Sequence, residues 1–219
     1  MPVEKSLKRI ATADYTIKRK NETSDFDQKS DEAIWIEFKK GSEAAFLFIY
    51  NKYFDTLFKF AFQFSKDQDF IKDCIQDLFV ELNLSSVKQV RSIKPYLMVS
   101  LKRKILYYQK RASKFIYKND LLSGYDFQIS YSQEDKMIDQ QLEDEQKIKM
   151  SNAINSVLTS RQREVIYYLY YEKLSVDEIA EIMHLSHRGV QNLSYKAVAI
   201  LKSHFDLIII FLFHYIFNF

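Results

Sequence analysis

The chain has 219 residues, enough for one ordinary domain or two small ones, and 47% are hydrophobic and 16% aromatic, so a sizeable core can form. Three glycines and two prolines argue against a turn-rich β sandwich and for helices, and the single cysteine, Cys74, excludes an internal disulfide framework and a cysteine-rich zinc site. A net charge of +3 is too small to mark a nucleic-acid binder, so the distribution of charge matters more than its sum.

Residues 1–25 carry mixed charge without period and no apolar run, so a flexible tail without a secretory signal is expected. With one thiol, a reducing cytoplasm is the expected compartment. Residues 31–112 are helical in pattern throughout. A first helix stops near Lys40, where Gly41 is the expected terminator and Ser42 the expected N-cap of the next. That next helix is too rich in Phe, Leu, Ile and Tyr for one narrow face, and should be central in a bundle.

"DQDFIKDCIQDLFVEL" sorts into two stripes. Ile71, Ile75, Leu78 and Leu82 recur at helical spacing and should face a core. Asp69, Asp73, Gln76 and Asp77 form a polar stripe on another side. Phe79 lies off the apolar stripe, near Gln76, and is expected to be exposed.

Charge then changes abruptly. Between Leu84 and Asn119 there is no acid and there are ten bases, among them Lys88, Arg91, Lys94, Lys102, Arg103 and Lys104, with Tyr96 and Tyr107 interleaved. Lysine and arginine track phosphates, and aromatic faces stack on unpaired bases. Asp120 to Glu145 reverses the balance with eight acids and one lysine, and its middle has no helical period. Residues 113–142 are therefore read as a flexible acidic linker between two small helical domains, 26–112 and 143–206.

The second domain opens with Thr159 and Gln162 spaced as a capping box, and Ser175 with Glu178 makes another. Val176, Ile179, Ala180 and Met183 share a face. Ser186 can cap the following helix, where Val190, Leu193 and Ala197 recur at i, i+3 and i+7. This is the pattern of a helix-turn-helix, with His184 at the position that needs a left-handed residue. The far face of the last helix presents Arg188, Gln191, Asn192 and Tyr195. Arginine pairs with guanine, and glutamine or asparagine with adenine, through two hydrogen bonds in the major groove. Residues 207–219 are almost wholly apolar. As a helix they would reach only about 20 Å, short of a bilayer core, so a buried or partner-covered end is expected.

Together, "KKGSEAAFLFIYNKYFDTLFKFA", "DCIQDLFVEL" and "LTSRQREVIYYLYYEKLSVDEIAEIMHLSHRGVQNLSYKA" resemble bacterial RNA polymerase sigma factors of the sigma-70 family, extracytoplasmic-function (ECF) group. The resemblance implies an all-α fold with a region 2 bundle and a region 4 helix-turn-helix. It implies that Asp73, Gln76, Asp77 and Phe79 dock on core RNA polymerase, and that the basic stretch from Ser85 to Arg111 opens the minus-ten element and captures one strand. His187, Arg188, Gln191, Asn192 and Lys196 match the helix that reads the minus-35 element of promoter DNA. An anti-sigma factor is a candidate partner for the apolar tail.

Three departures stand out: Asn83 where the family commonly has tryptophan, Arg103 where it often has asparagine, and Leu193 in place of a frequent arginine.

No Gly-rich phosphate loop, Cys–His pair or HExxH occurs, so no catalytic residue, metal, cofactor or small-molecule substrate is expected. The principal alternative is a ligand-responsive helix-turn-helix regulator that acts as a dimer on a palindromic duplex. A pure interaction protein would bind DNA with negligible salt dependence.

Overall fold

The computed structural model describes residues 26–112, 125–130 and 141–204. The expected N-terminal tail, most of the acidic linker and the apolar segment 207–219 lie outside the described residues. Those described form eight α-helices and no strand. No helix among them is long and apolar enough to cross a membrane.

The chain divides into two compact units. Residues 26–58 and 69–104 make the first, and 59–68 joins everything described from 105 onward in the second. The first unit begins with a 3-10 turn, Phe26–Gln28, and helix α1, Asp31–Lys39. Ser30 caps α1 through a hydrogen bond from the Ala33 N–H, and the acids Asp31 and Glu32 sit where the helix dipole favours them. Gly41 adopts the expected left-handed conformation at φ +88°, and Ser42 accepts from the Ala45 N–H. Helix α2 follows, Glu43–Ala61.

Helix α3, Gln68–Leu84, buries Ile71, Ile75, Leu78 and Leu82 as its period predicts. Phe79 departs from expectation: it is 1% exposed, not on the surface. Its ring lies 4.9 Å from Tyr50 and 5.9 Å from Phe46, both on α2. The buried arc of α3 is wider than the Ile71–Leu82 stripe because α2 supplies large rings that cover its flank. Helix α4, Ile93–Ala112, starts after an extended loop, so residues 31–112 are not helical throughout.

In the second unit, α5, Gln141–Val157, precedes α6, Ser160–Ile166, which runs on into a π turn, Tyr167–Tyr171. The extra residue of that turn, seen in the Glu172 N–H bonding to Tyr167 O at 3.0 Å, lets the adjacent Tyr167 and Tyr168 both point inward. Tyr168 donates to Glu164 and Tyr167 to Glu172, each at 2.7 Å, so the buried carboxylates have partners. Burial first, then the Glu164 carboxylate, pushes the Tyr168 pKa up, so the hydroxyl stays a donor.

Residues 125–130 have no helical period and fall in the expected linker, yet they pack closely in this unit. Phe127 is fully buried, with its ring 5.1 Å from Phe64 and 5.4 Å from Tyr167. Its neighbours are pinned by polar side chains: Asn155 bonds both the N–H and the carbonyl of Ile129, and Gln63 does the same for Ser130.

Candidate nucleic-acid interface and docking face

Helices α7, Val176–Met183, and α8, His187–His204, make the helix-turn-helix. Thr159 and Ser175 both form the expected capping boxes with Gln162 and Glu178. His184 takes φ +51°, ψ +49°, the left-handed conformation that ends α7 and turns the chain, and the Leu185 N–H returns to Ala180 O at 2.9 Å. Ser186 then caps α8 by accepting from the Gly189 N–H at 3.1 Å. Ile179 and Met183 of α7 and Val190 and Ala197 of α8 are buried, and α8 packs on α5, α6 and α7. Gly189 suits this start, since a Cβ there would meet Ser186 Oγ at 3.3 Å.

With its apolar side fixed in this way, α8 leaves His187, Arg188, Gln191, Asn192, Tyr195 and Lys196 exposed together. Tyr195 is 78% exposed, a large value for an aromatic side chain. His187 lies 4.0 Å from Asp177, a surface pair of small energetic weight. The first two turns of α8 thus carry side-chain hydrogen-bond donors and acceptors on one exposed face, with the Lys196 cation further along.

The basic stretch of α4 and its leading loop is less uniform than its composition suggests. Lys88, Arg91, Arg103 and Tyr107 are exposed, Lys94 and Tyr96 half-buried. Tyr96 packs edge-on to Trp35 with ring centres 5.1 Å apart, so part of its surface is already used. Lys102 and Lys104 were expected beside these residues, but both are buried, at 3% and 8% exposed. Lys104 donates to Glu81 of α3 at 2.6 Å, which is where its charge is balanced. Counting bases along the sequence does not reveal such a partner.

On α3, Asp73, Gln76 and Asp77 are exposed side by side, as expected, and Phe79 lies beneath them rather than among them. Cys74, between Asp73 and the core, is fully buried. Burial pushes its thiol up to about 11; the Lys104 cation opposes this, and the carboxylates of Asp77 and Asp73 add to it by less.

Comparison with known proteins agrees with this geometry. Residues 156–203, from the end of α5 through α8, match the family "Sigma-70, region 4". Over 168 residues, 76% of this chain and 86% of the relative, the chain is 21% identical to the ECF RNA polymerase sigma factor SigX of Bacillus subtilis (strain 168). That alignment is much longer than the helix-turn-helix and takes in more than the region 4 match. The second unit is thus similar to sigma-70 region 4, and most of the chain is similar to an ECF sigma factor.

Proposed function

We propose that this chain joins core RNA polymerase in the cytoplasm and directs initiation at particular promoters, supplying recognition while the polymerase supplies the chemistry. The observation that carries the reading is the α7–α8 helix-turn-helix, with Arg188, Gln191 and Asn192 exposed on the first turns of its second helix. In that role α8 enters the major groove of the minus-35 element, with His187 and Lys196 on the flanking backbone and Tyr195 against base edges or sugars.

Asp73, Gln76 and Asp77 form the docking face for the polymerase, and Phe79 supports it from below. The loop and helix from Ser85 to Arg111 hold one strand of the opened minus-ten element, through Lys88, Arg91, Lys94 and Arg103 to phosphates and Tyr96 and Tyr107 to bases. Lys102 and Lys104 support this face from within. Two modest DNA interfaces on one polymerase act as a multivalent pair, so neither need be tight alone.

Size-exclusion chromatography with core RNA polymerase tests the reading. The wild-type chain should co-elute with the core, and the double variant Asp73→Lys, Gln76→Lys should not, while remaining folded. A folded wild-type chain that stays apart from the core, and instead binds a palindromic duplex as a dimer, would replace this reading with that of a ligand-responsive regulator.

A further inference from the structure

Three side chains of α1, spaced i, i+4 and i+8, hold the whole connection between α3 and α4. Lys39 Nζ donates to the carbonyls of Leu82 at 2.8 Å and Ser85 at 2.7 Å and to Ser85 Oγ at 3.3 Å, and so closes the C-terminal end of α3. Trp35, fully buried, donates from Nε1 to Val87 O at 3.3 Å in the middle of the loop. Asp31 Oδ2 accepts from the Ile93 N–H at 2.7 Å at the first turn of α4. The order 39, 35, 31 on α1 matches the order 82–85, 87, 93 on the connection, so one helix face runs antiparallel along it.

Reach explains what this does to the loop. Eight residues of helix rise span about 12 Å, whereas eight loop residues can span about 26 Å extended. A connection fastened at both ends and in the middle must bow away from α1. Val90 is buried and anchors the bow, while Ser86, Lys88, Gln89 and Arg91 are exposed on it, next to Leu84 at 81% exposed. An exposed leucine at the end of α3, and a glutamine amide and two cations on the short fixed loop that follows, are suited to an unpaired base and its phosphates. Ordering such a loop only on binding would cost conformational entropy for every residue fixed.

We propose that Asp31, Trp35 and Lys39 are positioning residues that fix the 85–92 loop before DNA arrives, and that this fixed shape, more than its charge, lets the strand-binding face distinguish one base from another. The inference rests on the reading of residues 85–111 as the strand-binding face. The three residues touch no DNA themselves. They act on discrimination and leave bulk affinity to the cations.

The test uses the full chain loaded on core RNA polymerase, with core alone as the blank, and fluorescent dT12, dA12 and dC12 as probes. Wild type should prefer one homopolymer about tenfold over the others, since hydrogen bonds to a base edge discriminate where stacking alone does not. Lys39→Met and Trp35→Phe should compress that preference severalfold. Amide exchange over residues 85–92 should accelerate, and loading on the core and the salt dependence of binding should stay as in wild type. Lys39→Arg and Asp31→Asn, which keep a donor and an acceptor in place, should restore preference. Trp35→Phe retains a ring against Phe38 and Tyr96, so it reads out the lost N–H and not a collapsed core. Faster loop exchange with preference intact, or unchanged loop exchange in both variants, overturns the positioning role and leaves the strand-binding reading standing. A wild-type chain that binds none of the probes above the core-alone blank overturns both.

Discussion

The Nε–H of Arg163 donates to the main-chain carbonyl of Phe127 at 2.6 Å, in surroundings where both side chains are buried. The rest of the guanidinium is equally engaged. Nη1 serves the carbonyls of Asn155 and Leu158 at 2.7 and 2.9 Å, and Nη2 serves Asp126 at 2.7 Å and Ser160 Oγ at 3.0 Å. Arginine has five N–H donors in a fixed fork, and each has an acceptor here. Asp126 is 61% exposed, so the ion pair adds little and the main-chain carbonyls matter more.

Lysine at position 163 keeps the charge but offers three donors from one atom, and it cannot reach acceptors spread around a fork. Arg163→Lys is therefore expected to cost about 3 kcal/mol, because buried carbonyls lose charge-assisted partners. Phe127→Ala should cost about 3–5 kcal/mol through the cavity it leaves. Urea unfolding followed by far-UV circular dichroism measures both, as a lowered midpoint. Midpoints within error of wild type would mean that residues 125–130 add nothing to the fold.

The burial of Phe79 separates support from contact at the proposed docking face. Phe79→Ala should lower stability by about 3–5 kcal/mol, whereas Phe79→Leu, closer in volume, should cost below about 1.5 kcal/mol. Polymerase binding should survive Phe79→Leu and weaken in Gln76→Ala, whose side chain is exposed. A pull-down with core polymerase, run beside thermal melts, would reject this division of roles if Phe79→Leu lost binding while melting like wild type.

What the sequence made legible were features whose cause is local. The capping boxes at Thr159 and Ser175, the glycine stop at Gly41 and the left-handed His184 all follow from side chains within a few residues of one another. The helix-turn-helix and its exposed Arg188, Gln191 and Asn192 follow from helical period together with those caps and that turn. Features set by distant partners were not legible. Phe79 is covered from α2, Lys104 is neutralised from α3, and Phe127 is held by Arg163, thirty-six positions away. Residues 125–130 have no period because they are an extended strap fastened by Gln63, Asn155 and Arg163, not one face of a helix. The Asp31–Trp35–Lys39 stripe was equally silent, since its partners, Ser85 Oγ apart, are main-chain atoms that no pattern of side chains announces.

Cys74 gives a built-in reporter of the first unit. Its thiol is buried and raised to about 11, so at pH 8 it is both inaccessible and protonated. Iodoacetamide at that pH should label the native chain far more slowly than the urea-unfolded chain. Its rate should then follow the opening of the first unit. Labelling of the native chain as fast as a free thiol would contradict the burial of α3.

His184 bears a left-handed strain that a side chain without β-branching can accept and a β-branched one cannot. His184→Gly should leave stability within about 1 kcal/mol of wild type, because relief of strain offsets the larger entropy of the unfolded glycine. His184→Val should cost about 1–2 kcal/mol and loosen the angle between α7 and α8. Thermal melts compare the two variants. A valine variant as stable as the glycine one would mean that this turn does not need the left-handed conformation.

Arg188 and Lys196 lie on one exposed face of α8 but should fail in different ways. A guanidinium that pairs with guanine carries sequence information, so Arg188→Ala should reduce preference at one base pair by about 1–3 kcal/mol. A lysine on phosphate carries none: Lys196→Ala should weaken binding to all duplexes alike and lower the slope of log affinity against log salt by about 0.9. Both effects are measured by anisotropy titrations of the polymerase-loaded chain, with duplexes selected from a random pool by the wild type. If Arg188→Ala weakened selected and scrambled duplexes equally, its contact would be to phosphate, and base reading would fall to Gln191 and Asn192, one turn further along the same face.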